Sequence, residues 1–554
     1  MKQLSRSSVL VLGLGSSGLA MVRWCVRAGA SVSVWDSRLG GAEALPNARL
    51  LTEQLPQVRL LAGAPGAAML EGVDRILKSP GLSPADPRIS GLLAEARSAG
   101  IAVQGELDLF IAALADLKAQ RAYAPKLLAI TGTNGKTTTT AMAAMLIAST
   151  GKQVAVAGNI GPTLLQTLAE QLDQVDAVDS AAVESILDPA SAPVEADEAS
   201  VAPPSLPDIW VIELSSFQLD GVSDFEPDAA AVLNISEDHL DWHGEMAAYV
   251  RAKAGIYGPP SGATVMIVNR DDPLVEAMIP APVVAKGRAA RPVQRRVIRF
   301  GLDAPRRPGD YGMVTENGMV WLVRAQDADE TLQRGRRSAA VDEELFIQRM
   351  MPADALRVRG RHNASNALAA LALADAIGCP LAPMLHALRD YGGEPHRLQF
   401  VASIGGVDAF DDSKGTNVGA TVAAIDGLGS DRSPSRLVLI LGGEGKGQNF
   451  APLLAPLRRH ARAVATLGRD AEVIETTLLP LTAAVDGGSA MPVRRHPTLD
   501  AATRWSFEQA EPGDAVLLSP ACASLDMFRN YGHRGESFVQ SVQALAADLG
   551  EVLT

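Results

Sequence analysis

At 554 residues the chain is longer than one hydrophobic core supports, and its length predicts three or four domains. Its apolar fraction of 47% is ordinary for a globular protein, and no apolar run approaches the length of a membrane-spanning helix. The formal net charge of −13 comes without a basic stripe, which argues against nucleic-acid binding.

Much of the negative charge lies in one stretch, residues 171–208, which contains nine acidic residues and no basic residue. The stretch is rich in alanine, serine and proline, a composition that offers little apolar surface to bury. We therefore expect a disordered acidic insertion, with an interaction tail as the alternative.

The three cysteines, Cys25, Cys379 and Cys522, lie far apart and form no Cys-x-x-Cys motif. This usage predicts no disulfide framework and is typical of a reducing compartment. The N-terminus resembles a signal peptide only faintly, because its apolar run ends in a glycine-rich turn. We expect a cytoplasmic protein without a membrane span.

A glycine pattern marks the first candidate ligand site. A strand predicted over residues 9–12 is followed by G-x-G-x-x-G at 13–18, a helix over about 19–28 and a strand over 31–35 that ends at Asp36. The glycines allow close approach of a pyrophosphate, and Asp36 would accept a hydrogen bond from a ribose or base. The motif predicts a nucleotide-binding domain. It does not separate NAD from another diphosphate nucleotide, and a structural turn is the alternative.

A second turn, Lys78-Ser79-Pro80-Gly81, follows a short strand predicted at residues 76–77. It would offer another phosphate or sugar contact, and an ordinary turn is the equal alternative. Glycines at 100 and 105 indicate a junction, so we assign residues 1–104 to the first domain.

The sequence Gly132-Thr133-Asn134-Gly135-Lys136-Thr137 is the central feature of the chain. A strand predicted over 126–130 precedes it, and a helix-forming run over 141–147 follows. Backbone N–H groups at such a helix start bind phosphate, the lysine reaches the outer phosphates, and the next hydroxyl ligates Mg²⁺. Residue 130 is isoleucine, so only the G-x-x-G-K-T part of the full motif is present. We predict an ATP site, against a chance match in a loop.

Two further polar loops follow strands of the same region. A strand over 154–157 leads to Gly158-Asn159-Ile160-Gly161, and a strand over 209–212 leads to Glu213. A nucleotide-fold ATPase holds a Mg²⁺-binding carboxylate at such a strand end, so Glu213 is a candidate metal ligand.

The cluster Asp238-His239-Leu240-Asp241-Trp242-His243 follows a strand predicted over 229–233. Two histidines one helical turn apart suggest zinc, but carboxylate-rich, thiol-free surroundings suit Mg²⁺ better. By its residue type alone, Lys253 is an ordinary lysine on a helix.

The run from Arg357 to Asn366 is predicted to open a long alanine- and leucine-rich helix that extends to Ile377, with Asn363 and Asn366 near its start. Such asparagines are often only helix caps, and a nucleotide contact is the equal alternative. Gly392-Gly393-Glu394-Pro395 then breaks the helical pattern. We assign residues 105–395 to the central domain and expect a hinge at 391–397.

Residues 396–554 alternate strands and helices again, with strands predicted over 407–410, 437–441, 463–467 and 515–518. Polar loops follow three of these strands, at 411–417, 442–447 and 519–526. Ligands bind beyond the carboxyl ends of strands in open α/β sheets, so the loops could share one crevice. Three such sites suit a ligase, which activates one ligand with ATP and joins it to another.

Five motifs resemble those of the Mur ligase family, which builds the peptidoglycan stem peptide. They are Gly132 to Thr137, Gly158 to Gly161, Glu213 to Gln218, Asp238 to Asp241, and His362-Asn363-x-x-Asn366. The loops at 411–417 and 519–526 look like those of the member that adds D-glutamate. The resemblance covers nearly the whole chain. It departs from the family at the acidic insertion and at Trp242-His243-Gly244.

The resemblance implies an α/β fold of three domains. These are an N-terminal Rossmann-like domain for a UDP-sugar, a central P-loop-type ATPase domain with a parallel sheet, and a C-terminal Rossmann-like α/β domain for an amino acid. It implies an ATP-dependent amide ligase of cytoplasmic peptidoglycan precursor synthesis. This ligase would phosphorylate the carboxylate of UDP-N-acetylmuramoyl-L-alanine and join D-glutamate to it.

The resemblance also implies a set of residues for each ligand. ATP would contact Gly132, Thr133, Asn134, Gly135, Lys136, Thr137, Thr138, Asn366, Arg397 and Asp412. The UDP-sugar would contact Gly15, Ser16, Ser17, Asp36, Ser37, Ser79, Asn159 and Ser215. D-glutamate would contact Lys414, Thr416, Lys446, Ser524, Leu525 and Tyr531.

Mg²⁺, as two ions, would be bound by Thr137, Glu213, His239 and Lys253. At the position of Lys253 the family carries a carbamylated lysine, whose CO₂-derived carboxylate can bind Mg²⁺ where an ammonium would repel it. The resemblance implies a catalytic set of Lys136, Glu213, His239 and Lys253.

Three alternatives stay open. The first is a sibling Mur ligase that adds a different amino acid, and only the third-domain loops argue against it. A nicotinamide oxidoreductase rests on the first glycine pattern alone, and a nucleotide-sensing regulator would bind ATP without turnover. We expect a monomer whose partners are its three substrates, without nucleic acid.

Overall fold

Three sheets with helices on their faces make up most of the molecule. The computed structural model describes residues 4–39, 45–159, 161–187, 205–222, 224–260, 262–281, 295–327, 345–358, 360–431, 436–483 and 490–551. Nearly every strand pair in these sheets is parallel, so the predicted α/β class is confirmed. In this part of the chain, no helix combines the length and apolar composition that a membrane crossing requires.

The N-terminal sheet has five parallel strands. The elements in chain order are β1 (Ser8–Leu12), α1 (Ser16–Arg27), β2 (Ser31–Trp35), α2 (Pro46–Gln54), β3 (Arg59–Leu61), β4 (Arg75–Lys78), α3 (Ser90–Ser98) and β5 (Ala102–Gln104). The strand order is β3-β2-β1-β4-β5, with the apolar β1 at the centre. Because β1 and β4 are neighbours, the N–H of Ser79 donates to the carbonyl of Leu12 at 2.8 Å. The turns after these two strands therefore lie side by side.

The central sheet has six parallel strands and follows the long helix α4 (Glu106–Arg121). Its elements are β6 (Lys126–Thr131), α5 (Lys136–Ala148), β7 (Val154–Gly158), α6 (Leu164–Leu187), β8 (Ile209–Glu213), α7 (Ser216–Leu219), β9 (Ala229–Val232), α8 (Leu240–His243), α9 (Met246–Ala254), β10 (Val265–Asn269), α10 (Pro273–Glu276) and β11 (Val297–Phe300). The order β11-β10-β9-β6-β8-β7 places β6 between β9 and β8. The glycine loop after β6 is therefore flanked by Glu213 on one side and Asn234 on the other.

The prediction that residues 171–208 form a disordered insertion is wrong for the first half of this stretch. Helix α6 continues through Leu187, so residues 171–187 are helical. Asp173 pairs with Arg27 at 2.6 Å and Asp176 pairs with Arg121 at 2.8 Å. Composition missed this helix because its stability comes from packing against α1 and α4. Residues 188–204 lie outside the described residues.

A small antiparallel sheet and two helices complete the central region. They are β12 (Tyr311–Glu316), β13 (Met319–Asp327), β14 (Leu345–Pro352), α11 (Arg361–Ala376) and α12 (Leu381–Asp390). The sequence pattern did not predict this antiparallel sheet. Helix α11 is buried along most of its length, because it packs against α5 and the central sheet. This packing explains its small alanine and leucine side chains.

The C-terminal sheet has six strands. Its elements are β15 (Gln399–Ile404), β16 (Val407–Asp411), α13 (Val418–Asp431), β17 (Leu437–Gly442), α14 (Leu454–His460), β18 (Ala461–Leu467), α15 (Ala471–Thr482), β19 (Val493–Arg495), α16 (Leu499–Gln509), β20 (Ala515–Leu518) and α17 (Tyr531–Asp548). The order is β15-β16-β20-β17-β18-β19, and only β15 is antiparallel to its neighbour. Strands β16, β20 and β17 are adjacent, so the polar loops that follow them leave the same edge of the sheet.

Candidate active site

The Gly-Lys-Thr loop joins β6 to α5. Gly135 precedes the helix with a φ of +81°, a conformation that glycine adopts without strain. A Cβ at Gly135 would lie only 2.5 Å from Oδ1 of Asn366, near the start of α11. The absence of a side chain at Gly135 thus lets α11 pack against the loop and brings Asn366 to it.

Lys136 lies over its own loop. Its ammonium donates to the carbonyls of Gly132 at 2.9 Å and Thr133 at 2.8 Å. Burial lowers the pKa of Lys136, an effect that the carboxylates of Glu213 and Asp238 oppose. The lysine therefore lies in the field of two carboxylates at the same edge of the sheet.

Glu213, at the end of β8, has an oxygen without a hydrogen-bond partner. The residue is 2% exposed, and its Oε1 accepts from the side-chain amide of Asn159 at 3.0 Å. Its Oε2 is buried and has no partner among the described residues. A buried carboxylate oxygen is costly unless a donor or cation joins it, so Glu213 fits a cation ligand.

Thr137 and His239 lie at the same edge. The hydroxyl of Thr137 accepts a hydrogen bond from Arg397 of the C-terminal region. Nε2 of His239 lies 3.5 Å from Oδ2 of Asp238. Burial lowers the pKa of His239 to about 4, so its imidazole is neutral at pH 7, the form that binds metals.

The two histidines of this cluster do not face one common point. Nε2 of His243 contacts the hydroxyl of Ser216 at 2.9 Å, whereas Nε2 of His239 lies near Asp238. No three His, Cys, Asp or Glu side chains of the described ranges converge as a metal site. The donors that remain, a carboxylate, a hydroxyl and one imidazole, fit Mg²⁺ better than zinc.

Lys253, on α9, is a buried lysine with an exposure of 2%. Its Nζ donates to the carbonyl of Gly132 at 2.8 Å and to the hydroxyl of Thr131 at 3.3 Å, and it lies 4.8 Å from the ring centroid of Tyr249. Burial lowers the pKa of Lys253 well below its ordinary value, and Lys136 lowers it further. This environment favours a neutral, nucleophilic amine.

A cavity of about 620 Å³ lies between the central and C-terminal regions. It is lined by residues predicted to bind ATP, namely Asn134, Gly135, Thr138, Asn366, Arg397 and Asp412. This volume falls within the usual range of small-molecule sites. The structure thus places these residues around one cavity.

Asp412 is nearly buried at the wall of this cavity. Its Oδ2 accepts from the hydroxyl of Ser519 at 2.6 Å. Burial raises the pKa of Asp412 to about 7, although the Ser519 hydrogen bond and the charge of Arg397 lower it. A carboxyl group with this pKa is partly protonated at neutral pH and can then donate a hydrogen bond.

In the turn after β1, Gly18 is tightly packed, whereas the space beside Gly15 is empty. A Cβ at Gly18 would lie 2.0 Å from the carbonyl oxygen of Gly13, so the turn requires glycine there. A Cβ at Gly15 would meet nothing within 4 Å. Ser16 is exposed and Ser17 is partly exposed at the start of α1. The N-terminus of this helix is therefore accessible to an anion.

Asp36, which follows β2, already has partners in its own turn and in the turn after β1. Its carboxylate accepts from the N–H of Leu14 and from the guanidinium of Arg38, each at 2.8 Å. Burial raises the pKa of Asp36, but these hydrogen bonds outweigh it and lower the pKa to about 2. The exposed Ser37 accepts from Arg88 at 2.9 Å. Arg38 is a candidate site residue that the motif, which ends at the acidic position, did not mark.

Asn159 and Ser215 lie at the carboxyl edge of the central sheet rather than in the first domain. Ser215 caps α7. The first domain approaches this edge through Ser83, whose hydroxyl donates to the carbonyl of Trp242 at 3.0 Å, and through Lys78, whose Nζ lies 5.3 Å from the Trp242 ring. The predicted UDP-sugar residues therefore come from two domains that touch here.

The predicted D-glutamate residues lie on the loops after β16, β17 and β20 and at the start of α17. Nζ of Lys414 lies 3.7 Å from the ring centroid of Tyr531, and burial lowers the pKa of Lys414 to about 8. On the loop after β20, Ser524 is buried and Leu525 is 68% exposed. Thr416, on the loop after β16, is partly buried.

Lys446 connects this crevice to the central site. It is exposed on the loop after β17, with a φ of +53°. Its charge contributes to the lowered pKa of His239, after the larger effect of burial. Lys446 therefore faces the central domain.

Two polar contacts were not indicated by the sequence analysis. Nδ1 of His396 lies 2.7 Å from Oδ2 of Asp411, and Nδ2 of Asn417 donates to Oδ1 of Asn134 at 2.9 Å. Each pair is separated by too many residues for a local motif to mark the contact.

Three family models match the chain in order. A model described as Mur ligase MurD-like, N-terminal domain matches residues 7–105. Models described as Mur ligase middle domain and as Mur ligase, glutamate ligase domain match residues 130–374 and 396–522.

Curated relatives match the chain over nearly its whole length. A protein of Albidiferax ferrireducens named UDP-N-acetylmuramoylalanine--D-glutamate ligase is 52% identical over 99% of this chain and 98% of its own length. Proteins of the same name from Burkholderia cenocepacia and Burkholderia pseudomallei are each 49% identical. They cover 98% and 99% of this chain and the same shares of their own lengths.

Two solved structures from Thermotoga maritima are similar to the whole chain. MurF ligase in complex with ADP has a TM-score of 0.54 at 15% identity and covers 98% of this chain and 97% of its own. UDP-N-acetylmuramate-alanine ligase has a TM-score of 0.51 at 18% identity and covers 97% and 99%. These likenesses concern the fold, and with the three family models they confirm the expected three-domain arrangement. With half of its residues identical to curated relatives from end to end, the chain belongs to the Mur ligase family.

Proposed function

We propose that the chain is an ATP-dependent amide ligase that joins D-glutamate to UDP-N-acetylmuramoyl-L-alanine, with ADP and phosphate as the other products. The observation that carries this proposal is the 49–52% identity, over nearly the full length, to relatives named for that reaction. The arrangement of the site supports it, because one cavity is lined both by phosphate-loop residues of the central domain, such as Gly135, and by Lys414 of the third crevice. The product would be a precursor of peptidoglycan.

The first chemical step is phosphoryl transfer to a carboxylate. A carboxylate oxygen of the L-alanyl group attacks the γ-phosphorus of ATP, the bond to the bridging oxygen breaks, and ADP leaves. Catalysis of such a step is mostly positioning and charge neutralisation. We assign Lys136 and the loop N–H groups to the outer phosphates, and Asn366, Arg397 and Asp412 to the rest of ATP.

The second step forms the amide. The amine nitrogen of D-glutamate attacks the carbonyl carbon of the acyl phosphate, loses a proton, and phosphate leaves with the electron pair of the broken C–O bond. Water would hydrolyse the same acyl phosphate, so the crevice must exclude it. We propose that the C-terminal domain closes over the site at this stage, about the hinge at 391–397.

Mg²⁺ is proposed at Thr137, Glu213 and His239. The unpartnered oxygen of Glu213 and the neutral imidazole of His239 support this assignment. Mg²⁺, when bound, would neutralise charge on the transferring phosphoryl group. Glu213, at the end of β8, and Thr137, in the first turn of α5, would hold their oxygens toward the phosphates.

We propose that Lys253 is carbamylated by CO₂. Burial lowers the pKa of Lys253 well below its ordinary value, which supports this modification, because a carbamate forms when a neutral amine attacks CO₂ and loses a proton. The resulting carboxylate would act with Glu213 as a further oxygen ligand. In the buried position of Lys253, a free ammonium would remain costly.

Carbamylation can be detected directly. In enzyme equilibrated with ¹³C-bicarbonate and Mg²⁺, we expect a carbamate carbon signal that is absent from Lys253→Arg. An intact mass that shows unmodified lysine in active, Mg²⁺-bound enzyme would contradict the assignment. Arginine is a lysine-sized residue that has no amine able to form the carbamate, so the signal cannot arise from position 253 in this control.

The UDP-sugar is assigned to the edge shared by the first two domains. Gly15, Ser16 and Ser17 would face the diphosphate, since the N-terminus of α1 is accessible there. Asp36 and Ser37 would lie on the uracil side, and Ser79 would lie beside the turn after β1. Asn159 and Ser215 would contact the remainder of the substrate.

D-glutamate is assigned to the third crevice. Lys446 and Thr416 would bind its carboxylates, and Lys414, Ser524, Leu525 and Tyr531 would line the rest. An ammonium and a hydroxyl give a carboxylate charge-assisted hydrogen bonds of roughly 1.5–3 kcal/mol each. We propose that the chain acts as a cytoplasmic monomer.

Phosphate release tests the proposed reaction. With ATP, Mg²⁺ and UDP-N-acetylmuramoyl-L-alanine, release should require an amino acid and should strongly favour D-glutamate over L-glutamate, L-alanine and diaminopimelate. Preference for another amino acid would establish the sibling ligase instead. Absence of release with any amino acid would overturn the ligase proposal in a preparation whose folding is verified by circular dichroism.

A further inference from the structure

Arg534, on α17, is an almost fully buried arginine in the C-terminal domain. It is 2% exposed and is among the largest side chains of the described core. Among the described residues, the guanidinium bonds to hydroxyl and backbone oxygens rather than to a carboxylate, although the charges of Asp526, Asp411 and Asp412 act on it. Burying a guanidinium without an ion pair is costly, so its position calls for a specific reason.

The guanidinium is held by oxygens of two polar loops. Toward the loop after β16, Nε donates to the hydroxyl of Ser413 at 3.0 Å and Nη2 donates to the Ser413 carbonyl at 2.8 Å. Toward the loop after β20, Nη1 donates to the carbonyl of Cys522 at 3.1 Å and more weakly to that of Ala523 at 3.4 Å. One side chain therefore joins the two loops by four hydrogen bonds.

The third loop of the crevice also reaches Arg534. A Cβ built on Gly443, in the loop after β17, would lie 3.3 Å from Nη1 of Arg534. The next residue, Glu444, exchanges backbone hydrogen bonds with Ala523. All three loops assigned to D-glutamate thus meet around one guanidinium.

We propose that Arg534 is a positioning residue for the amino-acid substrate, which sets the mutual spacing of the three loops and adds positive potential beneath them. The inference rests on the proposed function. Burial lowers the pKa of Arg534 to about 10, which leaves the group charged at neutral pH. The neighbours of Ser413 and Ala523 in these loops, Lys414 and Ser524, are residues assigned to D-glutamate.

Arg534→Lys is the principal test, because lysine keeps the charge and loses the fork of donors. We expect the KM for D-glutamate to rise by about tenfold or more, while the KM values for ATP and the UDP-sugar change less than about threefold. Ser413→Ala is a conservative substitution that removes one acceptor of Arg534, the Ser413 hydroxyl. It should change the KM values in the same pattern, to a smaller extent. The double variant should fall short of the product of the two effects, because both changes break one network.

Arg462 supplies the matched control. It is a half-exposed arginine in the same domain, near the start of β18, and it pairs with Asp514 and Glu511. Arg462→Lys should lower the melting temperature without a selective change in the KM for D-glutamate. If Arg534 positions the loops, Arg534→Lys and Ser413→Ala raise the KM for D-glutamate selectively, and Arg462→Lys does not.

Two results would overturn the inference. One is an equal rise in the KM values for all three substrates, and the other is a lower melting temperature with no change in any KM. Wild-type enzyme with no D-glutamate dependence would instead contradict the proposed function. In that case the same variants, assayed with the amino acid that does support phosphate release, still test the role of Arg534.

Discussion

The proposed role of Lys446 in binding D-glutamate can be tested directly. It stands on a turn with positive φ, and its charge is felt at His239 across the domain boundary. This position between the third crevice and the central site is where an incoming amino acid would need a cation. A lysine at such a place should matter for one substrate more than for the others.

For Lys446→Ala, we expect the KM for D-glutamate to rise by about tenfold to a hundredfold, because a charge-assisted hydrogen bond is lost. The KM for ATP should change far less. Steady-state kinetics with each substrate varied in turn make the measurement. Equal changes for both substrates would count against the assignment, and Lys446→Arg serves as the charge-retaining control.

Asp412 predicts a dependence of stability on pH. Burial raises its pKa to about 7, above the value of about 3.9 expected in an unfolded chain. Between these two pH values the folded state binds more protons than the unfolded state, so this group makes the fold less stable as pH rises. An asparagine at position 412 could still accept the hydrogen bond from the Ser519 hydroxyl, but it does not titrate.

The melting temperature of Asp412→Asn, relative to wild type, should therefore rise between pH 5 and pH 8. The expected sign follows from the loss of an ionisation that opposes folding. Thermal unfolding of both proteins at the two pH values makes the comparison, and shifts from other groups cancel in the difference. A relative melting temperature that stays constant or falls would show that Asp412 is ionised in the folded protein.

At the scale of elements, α5 carries the phosphate loop at one end and a plain turn at the other. Gly135 and Gly151 lie beyond its two ends, and both have a φ of +81°. A Cβ on Gly135 would meet Asn366 at 2.5 Å, whereas a Cβ on Gly151 would meet nothing within 4 Å. The two glycines share a left-handed backbone conformation but differ in what packs against them.

Gly135→Ala and Gly151→Ala should both lose roughly 1–2 kcal/mol of stability from the left-handed conformation. Only Gly135→Ala should raise the KM for ATP, by about tenfold, because Asn366 must move away from the loop. Thermal melting and ATP kinetics separate the two effects. A similar KM in both variants would mean that Asn366 does not contact ATP.

At the scale of the whole molecule, few hydrogen bonds link the C-terminal domain to the phosphate loop. Asn417 donates from Nδ2 to Asn134, and its Oδ1 accepts from the N–H of Ala420 near the start of α13. Arg397 reaches Thr137 in the same region. These contacts join a domain assigned to one substrate to the loop assigned to another.

Asn417→Ser should keep a capping oxygen near α13 but lose the contact with Asn134, since serine is shorter. We expect kcat/KM for ATP to fall about three- to tenfold, the worth of one hydrogen bond, with little change in melting temperature. Asn417→Ala should show the same kinetic loss and a lower melting temperature as well. Unchanged kinetics in both variants would mean that this contact does not assist the joining of the domains.

Local patterns determined most of the fold. Alternating strands, glycine turns and helices are short-range features, so the phosphate loop, the carboxylate at Glu213 and the three polar loops after strands could all be predicted. The antiparallel sheet of β12, β13 and β14 was not predicted, and neither was the C-terminal part of helix α6. Its acidic composition indicated disorder for residues 171–187, yet pairing with Arg27 and Arg121 accompanies a helix there.

Tertiary structure decided what no spacing of residues along the chain can show. Lys253 looks like an ordinary lysine until its burial under Tyr249 and the phosphate loop is seen. Arg534 carries no motif, because its partners lie in loops up to 121 residues away along the chain. The sequence by itself determined which chemical groups stand at strand ends. Strand order and helix packing decided which of them meet, since those depend on contacts between residues that are far apart in the chain.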